Sequence, residues 1–336
     1  MIWKNVYFHN VASLVTNEDG SVSWRRVPDY VYDNLAKGEH SKIQASNATG
    51  VEMRFILKGE NAKITISADG EGAFHIYRGS IQGRWQDEFK YVTSTQKEFI
   101  IDRCEKEERL KIMKEKCDYP FSWDVVRIIF DRGHFKIHNI EGDIVPATKE
   151  NFPKKTILTY GSSITHGSNA LDSSHTWASV LAHNLKMDVR NLGMAGCCII
   201  ENEFANYIAK EGEEGKWDIA ILELGINVLL WEEEKIYEKV TNIINQVAGR
   251  NKDKKVFVIS PFYHCGDDFL PEKNGDKWRR IIKEIIEELK HENVTYINGL
   301  DVLDNMEYMS ADFVHPNIYG AMKIAHTLTQ IIKEKI

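Results

Sequence analysis

The chain has 336 residues, 43% of them hydrophobic and 28% charged, an ordinary globular composition that excludes a mainly disordered or low-complexity protein. A formal net charge of −7 without a basic patch gives nucleic-acid binding no electrostatic support, and no run of 18 apolar residues is present to cross a bilayer. The five cysteines (Cys104, Cys117, Cys197, Cys198 and Cys265) are sparse and irregularly spaced, and residues 1–5 carry no secretory pattern, so reduced thiols and a cytoplasmic location are expected.

In chain order, residues 1–150 read as β-rich. Short runs of β-branched and aromatic residues fall at 51–57, 62–67, 73–77, 99–102, 125–130 and 135–140. Turn residues separate them: Lys58-Gly59-Glu60-Asn61, Asp69-Gly70-Glu71-Gly72 and Asp131-Arg132-Gly133. Several strands at short spacing predict an all-β sandwich, jelly-roll-like, over 1–150. The stretch 146–153, with two prolines, reads as a linker.

Residues 151–336 change rhythm. The apolar runs 156–160, 219–224 and 256–260 do not alternate, which suits strands buried on both faces of a parallel sheet. Between them lie helical stripes: Trp177, Val180, Leu181, Asn184, Leu185; then Ile236, Val240, Ile243, Ile244, Val247; then Trp278, Ile281, Ile282, Ile285, Ile286, Leu289. A further helix closes the chain at 321–332. Strand and helix in alternation predict a doubly wound α/β domain, whose ligands bind beyond the carboxyl ends of the strands.

Four segments should emerge on that edge. They are Gly161-Ser162-Ser163-Ile164-Thr165 after the first strand, Asn191 to Gly196 after the second, Gly225-Ile226-Asn227 after the third, and the late loop Asp312-Phe313-Val314-His315-Pro316. In order and spacing these blocks resemble the SGNH hydrolases, also called GDSL esterases, over residues 154–336. The β-rich half is similar to the N-terminal sandwich of two-domain members, some carbohydrate esterases among them. The resemblance implies an SGNH-hydrolase-like doubly wound parallel sheet behind the sandwich, and a serine esterase needing neither metal nor organic cofactor. It assigns Ser163 as nucleophile, His315 as base and Asp312 as its orienting carboxylate. It assigns the oxyanion hole to the Ser163 and Gly196 backbone N–H groups and the Asn227 side-chain amide. Ser162 stands where the family name carries Asp.

Short acyl groups, such as acetyl on a carbohydrate, are the expected substrates, on the two-domain resemblance alone. An acyltransferase would use the same residues, and a carbohydrate-binding protein with an inactive hydrolase domain is the non-enzymatic alternative. No nucleic-acid or membrane partner is expected, and the oligomeric state is unread. Other residues carry two readings each. His166 either touches substrate or is a solvated loop residue, and Gly193 competes with Gly196 for the hole. Cys197 and Cys198 read as small buried fillers. Trp231 and Phe262-Tyr263-His264 line a pocket or belong to the core. His264, Cys265, Asp267 and Asp268 lack a second cluster to complete a metal site. Trp24, Trp85 and Trp123 either stack on sugars or fill the sandwich core.

Overall fold

The structure, a computed structural model, describes residues 1–83, 89–269 and 274–336. Trp85 lies outside the described residues. The chain forms two compact units: one is Met1–Asp29, Ala45–Lys154 and Lys186–Asp188, the other Tyr30–Gln44, Lys155–Leu185 and Val189–Ile336. The observed units differ from a division at 150/151: residues 30–44 belong with the second unit, whereas residues 151–154 and 186–188 belong with the first. Most of helix α1 (Gly38–Ser46) lies in the segment 30–44. It has one large apolar side chain, Ile43, so no stripe announces it.

The first unit is antiparallel. Its longest strand, Glu52–Ala68, pairs through residues 52–56 with Val125–Phe130 and through residues 61–66 with Lys97–Asp102. The strand Phe135–Pro146 runs beside it, with register shifts between Ile137 and Asn139 and between Gly142 and Ile144. The turn expected at Lys58-Gly59-Glu60-Asn61 is thus the exposed middle of one continuous strand. Gly142, at φ 134°, supplies the irregularity there, since a Cβ on it would lie 2.8 Å from the Asn61 carbonyl. Trp24 is core, 5.1 Å from the Phe130 ring, whereas Trp123 is half-buried with the Lys111 ammonium over its face. Helix α2 (Glu107–Cys117) buries no residue, and its charged sequence hid it among the strands.

The first unit holds a buried ion network. Arg54 donates to Glu52 at 2.8 Å and, through both terminal nitrogens, to Asp188 at 2.5 and 2.7 Å. Arg127 also grips Glu52, and the Arg54 guanidinium lies over the Phe121 and Phe152 rings at 5.0 and 4.9 Å. Removing one partner of a buried pair strands the other charge. Arg54→Met should therefore cost about 3–5 kcal/mol, because it takes from the buried Asp188 the guanidinium that both its oxygens accept. Urea unfolding reads this as a lower midpoint with unchanged slope; a loss under about 1 kcal/mol would contradict the role given to Arg54.

In the second unit five strands form one sheet: β1 (Thr156–Gly161), β2 (Asp188–Gly193), β3 (Ile219–Glu223), β4 (Lys255–Ile259) and β5 (Val294–Ile297). Their order is β2-β1-β3-β4-β5, and β1–β3, β3–β4 and β4–β5 pair in parallel. All five residues of β3 are buried, which is why its sequence does not alternate. Among the helices that accompany them are α3 (Ser163–His166), α4 (Trp177–Asn184), α5 (Asn202–Glu213), α6 (Glu233–Val247), α7 (Asn274–Leu289) and α8 (Ile318–Lys333). α4 packs on α8, α5 on α6 and α6 on α7, two groups that bury the apolar stripes. The strand order reverses between β1 and β3, and at such a switch point the loops part into a crevice. The expected fold class, an antiparallel β unit before a doubly wound α/β domain, is the one observed. Among the described residues no helix is long and apolar enough to cross a membrane.

Candidate active site

β1 ends at Gly161 and turns at once into the single-turn helix α3. Ser162 caps this helix, its hydroxyl accepting the Ile164 N–H at 3.1 Å. Gly167, at φ 93°, ends the turn. Ser163 is therefore the first helical residue and stands at the carboxyl edge of the sheet.

The late loop reaches Ser163. The Ser163 hydroxyl donates to His315 Nε2 at 2.7 Å, and His315 Nδ1–H donates to Asp312 Oδ2 at 2.7 Å. The second distance sets the tautomer: with its proton on Nδ1, the ring offers Nε2 as an acceptor. Asp312 is itself held. Its Oδ1 accepts the backbone N–H of Val314 at 3.0 Å and of His315 at 2.9 Å, and the Ser310 hydroxyl at 2.9 Å. Partial burial works to raise its pKa. The His315 and Val314 amides, the His315 ring and the Ser310 hydroxyl outweigh that and keep the carboxyl well below the usual range. Between the two, Phe313, 45% exposed, sits at φ 55°, a left-handed backbone that a residue of this size adopts only at a cost.

Gly196 adopts φ 67°, and its carbonyl accepts the Lys37 ammonium at 2.6 Å. A Cβ placed on it would lie 3.3 Å from His40 Nε2. Residues 30–44 thus reach the loop after β2, which nothing in the sequence announced. The Asn227 carbonyl oxygen accepts the Cys198 N–H at 3.1 Å, which fixes the plane of the amide and leaves its NH₂ to serve as donor. Gly225, at φ 114°, makes the turn before Asn227, and a Cβ there would meet Pro261 at 2.8 Å.

The structure decides several readings that the sequence left open. His166 is fully buried and accepts the Ala195 N–H at 3.1 Å, so it is not a solvated loop residue. Gly193 is a packing glycine, because a Cβ there would run into the His166 backbone. Phe262, Tyr263 and His264 are buried core residues, while Trp231 packs 6.2 Å from Trp278. The acids near His264 belong to a structural ion pair, Asp267 taking Arg279 through both oxygens at 2.7 and 2.9 Å. Cys197 and Cys198 are buried, as expected of fillers.

Sequence reading placed Asn191 at the head of a motif without giving it a role, and gave none to Glu223. Asn191 ties β2 to α3, donating to the Thr165 carbonyl at 2.7 Å and accepting the Gly193 N–H at 2.8 Å. Glu223, the last residue of β3, accepts hydrogen bonds from the turn that carries Ser163 and is 1% exposed. The signal for it was an acid inside an otherwise apolar run.

Two buried carboxyls in this unit carry a pH signature. Burial pushes Glu201 and Glu223 each up to about 7. Their folded forms hold protons more tightly than the unfolded chain, so their contribution is full below about 4.5 and is lost as pH rises through 7. Glu201→Gln should therefore flatten the fall in stability between pH 5 and 8 by on the order of 2 kcal/mol, read by urea unfolding across that range. An unchanged pH dependence would show that Glu201 ionises freely in the fold.

A family model described as the GDSL-like lipase/acylhydrolase family matches residues 154–333. The chain belongs to this family. By class this acylhydrolase is a carboxylic ester hydrolase. Its fold is similar to that of a salicylyl-acyltransferase from a tetracycline biosynthetic pathway, with TM-score 0.79, 16% identity and coverage of 98% of this chain and 95% of that one. It is also similar to a GDSL-like lipase of Bacteroides ovatus, with TM-score 0.68, 17% identity and 98% of both chains covered. A family two carbohydrate esterase from Clostridium thermocellum, solved with cellohexaose, aligns with TM-score 0.59 and 17% identity over 86% of this chain and 92% of that one. No match was found among the curated proteins.

Proposed function

We propose that this acylhydrolase cleaves short-chain carboxylic esters, acetyl groups on a carbohydrate foremost, through an acyl-Ser163 intermediate. The observation that carries the reading is the relay from Ser163 to His315 to Asp312, each step 2.7 Å. A serine hydroxyl is a weak nucleophile until a base takes its proton, and His315 Nε2 is the base in reach. Oγ attacks the ester carbonyl, the proton passes to Nε2, and Asp312 steadies the imidazolium. The carbonyl oxygen becomes an oxyanion, stabilised by the Ser163 and Gly196 N–H groups and the Asn227 NH₂. Collapse expels the alcohol, which takes the proton from His315. A water, deprotonated by the same imidazole, then attacks the acyl-enzyme, releases the acid and restores the Ser163 hydroxyl.

The Asn227 role has its own test. Asn227→Ala should lower kcat by roughly 10²- to 10³-fold with little change in KM, because the donor acts on charge that exists only in the transition state. A kcat within about threefold of wild type would remove Asn227 from the hole.

The carbohydrate esterase neighbour bound to cellohexaose supports a saccharide ester. Hydrolysis of p-nitrophenyl esters of increasing chain length, followed by acetylated oligosaccharides, tests this choice. The rate should peak at acetate and acetylated sugar should be deacetylated; a peak at eight carbons or longer would point to a lipase. The second reading is acyl transfer to an alcohol, favoured by the likeness to the salicylyl-acyltransferase across both units. Product analysis with an added alcohol separates the two, since a transferase forms the new ester in preference to free acid. The unpaired cysteines support a reducing, cytoplasmic setting.

A further inference from the structure

Glu223 does more than end a strand. One of its oxygens, Oε2, accepts three hydrogen bonds, all from the turn that carries Ser163. The Ser162 N–H and the Ser162 hydroxyl donate to it at 2.7 Å each, and the Thr165 hydroxyl donates at 3.0 Å. These donors flank Ser163 on both sides in sequence. Gly161 makes the approach possible, because a Cβ there would lie 2.6 Å from the same oxygen.

We propose that Glu223 is the positioning residue of the nucleophile, its carboxylate fixing the turn that presents Ser163 to His315. The proposal rests on the hydrolase reading and deepens it. Its logic runs through Ser162. A serine hydroxyl has one proton, and Glu223 takes it. The lone pairs of that hydroxyl must then face elsewhere, and one of them receives the Ile164 N–H at 3.1 Å. The cap of α3 is thereby set by the carboxylate beneath it. Ser163 is the first residue of that helix, so the direction of its side chain follows from the cap.

The position comes at an electrostatic cost. Burial raises the Glu223 carboxyl to about 7, against the pull of the Ser162 and Thr165 hydrogen bonds. An acid kept in a 1% exposed site despite that cost needs a reason, and the other oxygen, Oε1, supplies none, having no hydrogen-bond partner among the described residues. The three contacts of Oε2 are what the residue contributes.

The test compares Glu223→Gln and Glu223→Ala with wild type on p-nitrophenyl acetate, together with amide exchange of residues 162–166. Gln keeps one acceptor oxygen but not the charge, so it should retain part of what Ala loses. Glu223→Gln should lower kcat roughly 10- to 100-fold with KM within about twofold, Glu223→Ala should fall further, and exchange of Ser162 and Ile164 should quicken while β4 stays protected. A folded Glu223→Gln with kcat within about threefold of wild type would overturn the proposal, as would a rate loss that merely tracks the unfolded fraction. If Glu223→Gln does not fold, Ser162→Ala and Thr165→Val each remove one donor from an intact carboxylate. Each should then lower kcat at constant KM, and unchanged kcat in both would overturn the proposal. Failure of the hydrolase reading looks different: wild type itself would be inactive on every ester. Slow exchange at Ser162 that depends on Glu223 would still support its hold on the turn, and exchange indifferent to Glu223 would overturn it.

Discussion

Ser163→Ala should lower kcat for p-nitrophenyl acetate by on the order of 10⁴- to 10⁶-fold and leave the fold intact. The effect is large because the substitution removes the atom that bonds to the acyl carbon; no neighbouring hydroxyl can take its place. Ser162 is occupied, its proton given to Glu223 and its lone pair to the Ile164 N–H. Thr165 also points its hydroxyl at Glu223. The residual rate is what the oxyanion donors and binding alone supply to a water molecule. Stability should change by less than about 1 kcal/mol, since a small side chain loses one hydrogen bond and leaves little space. A folded Ser163→Ala that turns over like wild type would mean the chemistry lies elsewhere.

Asp312→Asn should lower kcat by roughly 10⁴-fold. The two backbone amides of Val314 and His315 would still find an oxygen, so the loop should keep its shape. What changes is the face turned to the imidazole. Asn presents an NH₂ where Asp312 presents Oδ2, 2.7 Å from His315 Nδ1. The ring then carries its proton on Nε2, the nitrogen that must accept from Ser163, and the relay is reversed at its middle. The charge that would stabilise the imidazolium is lost as well. Rates measured from pH 6 to 9 should stay low throughout, because the defect is one of tautomer and not of titration. A loss under about tenfold would reduce Asp312 to a loop cap.

Ser163, Asp312 and His315 were legible because each sits in a short motif just beyond a sheet strand or in the last loop, where chain geometry leaves few ways to meet. The parallel strands were legible because burial on both faces removes alternation, as in β3. What stayed hidden has common physical causes. The segment 30–44 reaches the loop after β2 through Lys37, just before helix α1, and through His40 within it, but α1 has no apolar stripe, and a contact between residues 159 apart leaves no local trace. The strand Glu52–Ala68 was split because Lys58-Gly59-Glu60-Asn61 has the composition of a turn, while the bulge that lets the strand continue lies opposite, at Gly142. Glu223 escaped because, inside the apolar run 219–224, it reads as one more residue of a buried strand. Only the three donors converging on it reveal that it belongs to the turn of Ser163.

The same residues explain how Ser162 stands where the family name carries Asp. Ser162 is a donor to Glu223 and an acceptor from Ile164, so the turn needs a carboxylate beneath it, and β3 supplies one. The turn that carries Ser163 is thus supported from a neighbouring strand.

The central claim is that Ser163 takes the acyl group, and covalent trapping tests it most directly. Wild type and Ser163→Ala would be incubated with a fluorophosphonate, which bonds only to an activated serine, then digested and mapped by mass spectrometry. The account predicts one adduct, on the peptide holding Ser163, absent from Ser163→Ala and slow to form in Asp312→Asn. An adduct on another serine, or an active wild type that takes no adduct, would contradict it.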